Sequence, residues 1–196
     1  MSIVFIISEI FGPGRGSVVN PVREVLGGLD LAIPYTTRTP GVADNQNSRF
    51  VFTSLGCFEL MIAREEFLEH VKILGNYYGT PYKVLQQAQD NGHDLLVQTD
   101  YSGAEQIKTK VRDAVSILIL PVQSAGATTI SSSAINPSSA TLFRELLLPS
   151  VREVFSQRQV PHHDRYDHII FYDRTEDGVG SLIEIIRKER LHRRKV

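Results

Sequence analysis

Short apolar runs recur along the chain at Ile3 to Ser8, Leu31 to Tyr35, Asp94 to Thr99, Val115 to Leu120 and His168 to Tyr172. Several contain no polar interruption, as strands covered by helices on both sheet faces require. Between them, apolar positions return at helical period. Ser54 to Arg64 brings Phe58, Met61 and Ile62 to one face, and Pro81 to Asn91 stops at Gly92. Ser102 to Val111 and Val179 to Leu191 complete the predicted helices. Alternation of buried strands with amphipathic helices predicts an α/β fold with a largely parallel sheet flanked by helices. Tyr77 and Phe67 are expected to pack in the interior, and Cys57, between apolar neighbours on a helix, is expected to be buried.

The rhythm fails between Gln123 and Leu142, a stretch of Ser, Thr, Ala, Gly, Asn and Pro around Ser131-Ser132-Ser133. It predicts a mobile, unstructured excursion beside a central strand. With 42% hydrophobic residues among 196, the chain has the material for a sizeable core. Its formal net charge of −1 supplies no global field for nucleic acid, so an anion site must be local. One cysteine excludes an internal disulfide and a four-cysteine metal site, and fits a cytoplasmic protein. The apolar start at Ile3 to Ile7 is too short to span a bilayer, so no membrane association is expected. The basic run Arg187 to Lys195 reads as the solvated end of a terminal helix. His162-His163-Asp164 lacks a third ligand and reads as a surface loop, so no metal site is assigned.

After the first strand comes Glu9-Ile10-Phe11-Gly12-Pro13-Gly14-Arg15-Gly16-Ser17, a glycine-rich turn where phosphate-cradling loops sit. The phosphate-loop pattern of Gly, four residues, Gly, Lys and Ser or Thr is met incompletely. Arg15 takes the lysine position after Gly14, Glu9 stands at the first glycine and Gly16 at the hydroxyl. A planar guanidinium is not interchangeable with a compact ammonium in such a loop. Asn20 followed by Pro21 predicts a helix start with Asn20 as N-cap.

Farther along stand Tyr35-Thr36-Thr37-Arg38-Thr39-Pro40, then Glu69, then Gly75-Asn76-Tyr77-Tyr78-Gly79-Thr80-Pro81. Arg38 and Tyr78 suit phosphate oxygens, while Glu69 and Thr80 suit the polar edge of a purine. These segments, with Asp100, Gly103 and the closing Arg187-Lys188-Glu189-Arg190-Leu191, make the chain resemble the guanylate kinase family over nearly its whole length. The resemblance implies a P-loop nucleoside-monophosphate kinase fold: a core over 1–33, 82–122 and 160–196, a GMP-binding region over 34–81, and a lid over 123–145 followed by a helix to 159. It further implies phosphoryl transfer from ATP, with Mg²⁺, to GMP. Matched to the family's motifs, Arg38 and Tyr78 fall on phosphate-binding positions, Glu69 and Thr80 on guanine-binding positions, and Asp100 on an acidic position near the acceptor. Gly12, Gly14, Arg15, Gly16 and Ser17 form the ATP phosphate loop, and Arg15, Arg144 and Asp100 are the candidate catalytic residues.

The sequence departs from the family at Pro34, where a guanine-contacting serine is usual, at Gly41, where a second phosphate-binding arginine belongs, and at Phe50, where a tyrosine is usual. A lost charge-assisted phosphate contact costs about 1.5 to 3 kcal/mol. On the donor side, Gln98 replaces an acidic residue and Tyr172-Asp173 stands near the adenine position. No Lys or Arg lies between Arg112 and Arg144, although arginines over a transferring phosphoryl group contribute roughly 10³ to 10⁵ in rate. Two functions are therefore expected in competition: a guanylate kinase with an unorthodox donor site, and a catalytically inactive domain of that type binding GMP or a protein partner; Pro34, Gly41 and the altered loop also permit, without indicating, a kinase with a different donor or acceptor.

Overall fold

A computed structural model of the chain describes residues 2–9, 18–41, 44, 49–121, 128–131 and 165–193. In chain order its elements are β1 (Val4–Glu9), α1 (Val19–Val25), β2 (Leu29–Leu31), β3 (Tyr35–Thr36), β4 (Val51–Phe52), α2 (Leu55–Ala63), β5 (Phe67–Ile73), β6 (Asn76–Pro81), α3 (Tyr82–Asp90), β7 (Asp94–Gln98), α4 (Tyr101–Lys110), β8 (Val115–Pro121), β9 (Thr128–Ser131), β10 (His168–Tyr172) and α5 (Thr175–Arg193). They group into two compact units, Met1–Val4 with Gly28–Ala114 and Phe5–Gly27 with Val115–Val196.

In the second unit β8 pairs in parallel with both β1 and β10. Phe5, Ile6, Ile7, Ile117, Ile119, Leu120 and Ile170 are fully or almost fully buried, which accounts for the uninterrupted apolar runs. Asp167 anchors the strand ends: its Oδ2 accepts the Ser116 N–H and Oγ–H, both at 2.8 Å. α5 packs closely on α1 and β10, since a Cβ on Gly178 would lie 3.0 Å from Val18 Cγ1 and from the Tyr172 ring. Its first turn carries Glu176 and Asp177 and its last Arg190, His192 and Arg193, charges that complement the helix dipole. As far as Arg193 the basic run is thus the largely exposed end of a helix, and Arg194 and Lys195 lie outside the described residues.

In the first unit β2 and β7 pair in parallel, and a smaller sheet has the order β4-β3-β6-β5. β5 and β6 form an antiparallel hairpin turned by Leu74 and Gly75, both at positive φ of 48° and 84°. Two successive residues of that sign match the right-handed twist of the strands they join. On its outer side β5 is met by α4. Gln106 Oε1 accepts the His70 N–H at 3.1 Å and Gln106 Nε2 donates to the His70 carbonyl at 3.0 Å, while Lys110 Nζ donates to the Phe67 carbonyl at 2.7 Å. Side chains thereby satisfy the backbone groups a sheet edge leaves open.

Several expectations are corrected. The helix after the first loop starts at Val19 with Val18 at the N-cap, not at Pro21 with Asn20 capping. Pro21 falls in the first turn, where its missing N–H has no intrahelical partner to lose, and Glu9 Oε1 instead accepts the Val18 N–H at 3.1 Å. The run Leu31 to Tyr35 is divided between β2 and β3. Within the excursion between Gln123 and Leu142, Thr128–Ser131 forms β9, antiparallel to β10. Cys57 is exposed, because α2 turns Phe58 to the interior and its neighbouring position outward. Phe67 is buried as expected, and Tyr77 is half-buried, stacked on Phe58 at 5.3 Å.

Candidate functional site

Side chains two apart on a strand share a face, so Tyr78 and Thr80 project from the same side of β6. Glu69 stands directly opposite Thr80 on β5, and Thr36 opposite Tyr78 on β3. The hairpin therefore gathers one buried carboxylate and two hydroxyl-bearing side chains, with Arg38 leaving β3 beside them.

Glu69 is only 3% exposed. Burial pushes its carboxyl pKa up; the adjacent Thr80 and Thr99 groups oppose that shift, and the Asp100 charge adds to it. Thr99 Oγ1 donates to Glu69 Oε2 at 3.3 Å. Thr80 Oγ1 lies close enough to favour the ionised carboxylate, yet is buried without a well-aligned partner among the described residues. A buried carboxylate beside such a hydroxyl offers acceptor and donor capacity to a ligand with adjacent N–H groups.

Asp100 caps α4, its Oδ1 accepting the Gly103 N–H at 2.9 Å. The first turn of that helix passes so near the carboxylate that a Cβ on Gly103 would lie 2.9 Å from Glu69 Oε2 and 2.0 Å from Thr99 Oγ1. Gly79 is enclosed similarly, with the Glu69 carbonyl and His70 Cβ both 2.9 Å from a Cβ built there. Glycine at these positions lets β6 and α4 close on Glu69.

The two threonines before Arg38 fasten it to the hairpin. Thr36 Oγ1 donates to the Tyr77 carbonyl at 2.9 Å, and the Tyr77 N–H donates to Thr37 Oγ1 at 2.9 Å. The Arg38 N–H donates to Thr36 Oγ1 at 3.2 Å. Arg38 then makes two bonds to Asp44, Nη1 to Oδ2 and Nη2 to Oδ1, both 2.7 Å. Its guanidinium lies 4.9 Å and 5.0 Å from the Phe50 and Phe52 ring centroids, and Tyr78 meets Phe50 edge-on at 5.8 Å. Paired this way, Asp44 is held at a pKa of about 2, chiefly by the Arg38 hydrogen bonds and next by the Gly41 N–H.

Arg38, Glu69, Tyr78, Thr80 and Asp100 thus come together in the first unit. Gly12, Gly14, Arg15, Gly16, Ser17 and Arg144 lie outside the described residues, as do His162 and His163. Sequence reasoning missed Asp44, Thr99 and Gly103's steric role. Of these only Asp44 had a visible signal, an acidic residue shortly after an arginine. Among the described residues no helix is long and apolar enough to cross a membrane.

The guanylate kinase family model matches residues 20–189. The guanylate kinase of Koribacter versatilis is 34% identical over 197 residues, covering 97% of this chain and 80% of the relative. That of Rickettsia bellii is 32% identical over 193 residues, covering 97% of this chain and 96% of the relative. The crystal structure of guanylate kinase from Anaplasma phagocytophilum superposes with a TM-score of 0.66 at 24% identity, covering 96% of this chain and 86% of that one, and so shares the fold.

Proposed function

The chain belongs to the guanylate kinase family, with its nucleotide-binding function, and from that premise we propose that it accepts GMP on the hairpin face and transfers to it the terminal phosphoryl group of MgATP. The observation that carries the acceptor assignment is the buried Glu69 carboxylate, set across from Thr80 and bonded by Thr99. Ionised, it accepts from the N1–H and exocyclic amine of guanine, and Thr80 contributes its hydroxyl. Adenine has no donor at N1 to meet it. Arg38 and Tyr78 take the phosphate, and Asp100 keeps a negative charge beside the base site while capping α4.

In the transfer, an oxygen of the GMP phosphate attacks the γ-phosphorus of ATP and the bond to the β–γ bridging oxygen breaks, giving GDP and ADP. Gly12, Gly14, Arg15, Gly16 and Ser17 are assigned to the donor phosphates, and Arg15 and Arg144 to the charge that gathers on the transferring group. Mg²⁺ enters with ATP as part of the donor substrate.

A second reading, a domain that binds GMP without transfer, is favoured by two observations. Lysine and arginine are absent from the sequence between Arg112 and Arg144. A carboxylate, Glu9, bonds to the Val18 N–H at the start of α1, where an anionic ligand would compete with it.

Incubation of the purified protein with GMP, ATP and Mg²⁺, with GDP followed by chromatography and Arg15→Ala run alongside, decides between them. GDP that disappears in the variant establishes the kinase. GDP no higher than the variant's background, with GMP still binding, establishes the inactive domain.

A further inference from the structure

Arg38 has five N–H donors. Two point from its terminal edge to the Asp44 carboxylate, at 2.7 Å each. A third, the remaining Nη1–H, reaches the Thr39 carbonyl at 3.3 Å. Two aromatic rings lie against the guanidinium, the Phe50 centroid 4.9 Å and the Phe52 centroid 5.0 Å from Cζ. Among the described residues no partner meets Nε–H or the second Nη2–H, which lie parallel on one edge, the spacing that meets two oxygens of a phosphate monoester.

Asp44 is itself fixed. Its Oδ2 also accepts the Gly41 N–H at 2.7 Å, and its own N–H donates to the Gly41 carbonyl at 3.0 Å. Neither phenylalanine carries a polar atom, so the rings confine the plane of the guanidinium without setting its rotation within that plane. Among the described residues the Asp44 carboxylate sets it with two bonds of 2.7 Å, and the Thr39 carbonyl adds one longer bond at 3.3 Å.

We infer that Asp44 is a positioning residue for the acceptor phosphate, holding Arg38 by its far edge so that the Nε–Nη2 edge is presented as a ready fork for a dianionic monoester. The inference rests on the reading of Arg38 as the phosphate-binding arginine. It makes a prediction opposite to simple electrostatics. Removing a negative charge near a phosphate of about −1.5 to −2 should strengthen binding, whereas releasing a pinned arginine should weaken it through the side-chain freedom then lost on binding.

Calorimetric titration of GMP and of guanosine into wild type, Asp44→Ala, Asp44→Asn and Asp44→Glu separates the two. The expected result is that wild type prefers GMP to guanosine, that Asp44→Ala and Asp44→Asn bind GMP at least tenfold more weakly, and that their guanosine affinity stays within about twofold, with Asp44→Glu recovering part of the loss. GMP affinity unchanged or raised in Asp44→Ala overturns the positioning role while leaving the phosphate assignment of Arg38 intact. Equal losses for GMP and guanosine in both neutral variants also overturn it, as they make Asp44 a prop for the whole hairpin. No preference for GMP in the wild type removes the phosphate reading, and the positioning role falls with it.

Discussion

Gly103 and Glu69 belong to different elements, yet a single methyl group on the glycine would come within 2.9 Å of the carboxylate. The nearer obstacle is Thr99 Oγ1 at 2.0 Å, which must rotate away and so release its hydrogen bond to Glu69. Alanine in place of glycine within a helix gains about 0.5–1 kcal/mol, and the lost bond costs about as much. Gly103→Ala should therefore change the urea midpoint little while weakening GMP binding about tenfold or more. Unaltered GMP affinity would show that Thr99 and Gly103 play no part in orienting the carboxylate.

Glu69 ties pH to stability. Its carboxyl pKa is raised by burial, so the contribution to folding is present at pH values below the ordinary carboxylate range and is lost as pH rises through the elevated value. At neutral pH the ionised group opposes folding of the ligand-free protein. Glu69→Gln should raise the denaturation midpoint at pH 7.5 by more than at pH 4.5, and should cut the preference for GMP over AMP at least tenfold, since hydrogen bonds to a charged acceptor contribute about 1.5–3 kcal/mol. Equal midpoint changes at the two pH values would contradict the burial argument.

Asp44 behaves in the opposite sense. Arg38 and the Gly41 N–H hold its pKa at about 2 against an ordinary 3.8. The stabilisation is present above the ordinary value and disappears as pH falls through the lowered one. Carbon-13 chemical shifts of the carboxyl should show an Asp44 midpoint near 2 in wild type, moving toward the ordinary value in Arg38→Gln.

The hairpin turn holds a correctable strain. Leu74 is 96% exposed at a φ of 48°, a conformation that costs a branched aliphatic residue about 1–2 kcal/mol and suits asparagine. Leu74→Asn should stabilise the protein by about 0.5–1 kcal/mol, read from urea denaturation, with GMP affinity unchanged.

Asp167→Ala tests the second unit. Ser116 is 1% exposed, and both its N–H and its hydroxyl donate to the Asp167 carboxylate. Losing these two buried bonds should cost about 2–4 kcal/mol and lower Tm by about 5–10 °C. A shift below about 2 °C would mean that water replaces the carboxylate.

What the chain reveals in one dimension follows from how strongly each residue type commits to one environment. The runs ending in Ile7, Leu120 and Tyr172 are legible because nothing but a doubly covered strand buries so many branched side chains in succession. Helix limits at Ser54 and Gly92 are legible from capping chemistry, Ser54 Oγ accepting the Cys57 N–H and Gly92 taking a φ of 69°. β5 and β6 were illegible as strands. Glu69, His70 and Lys72 interrupt the apolar alternation of β5, because Glu69 is buried against Thr99 and Thr80 and the edge is covered by Gln106 and Lys110 rather than by another strand. Arg38, Glu69, Tyr78, Thr80 and Asp100 were read as a group through motifs. Asp44 was not, since its part depends on the angle at which a guanidinium lies, and no spacing encodes that.

The hairpin also bears on the order in which the molecule assembles. Its turn joins Ile73 to Asn76, neighbours almost touching in sequence, whereas Phe5 must find Val115 to begin the pairing of β1 with β8. Closing the longer loop costs more chain entropy before any contact rewards it. Pulse-labelled hydrogen exchange during refolding should therefore protect the amides of β5 and β6 ahead of those of β8, with the pairing that sets Glu69 across from Thr80 taking shape while β1 and β8 are still apart.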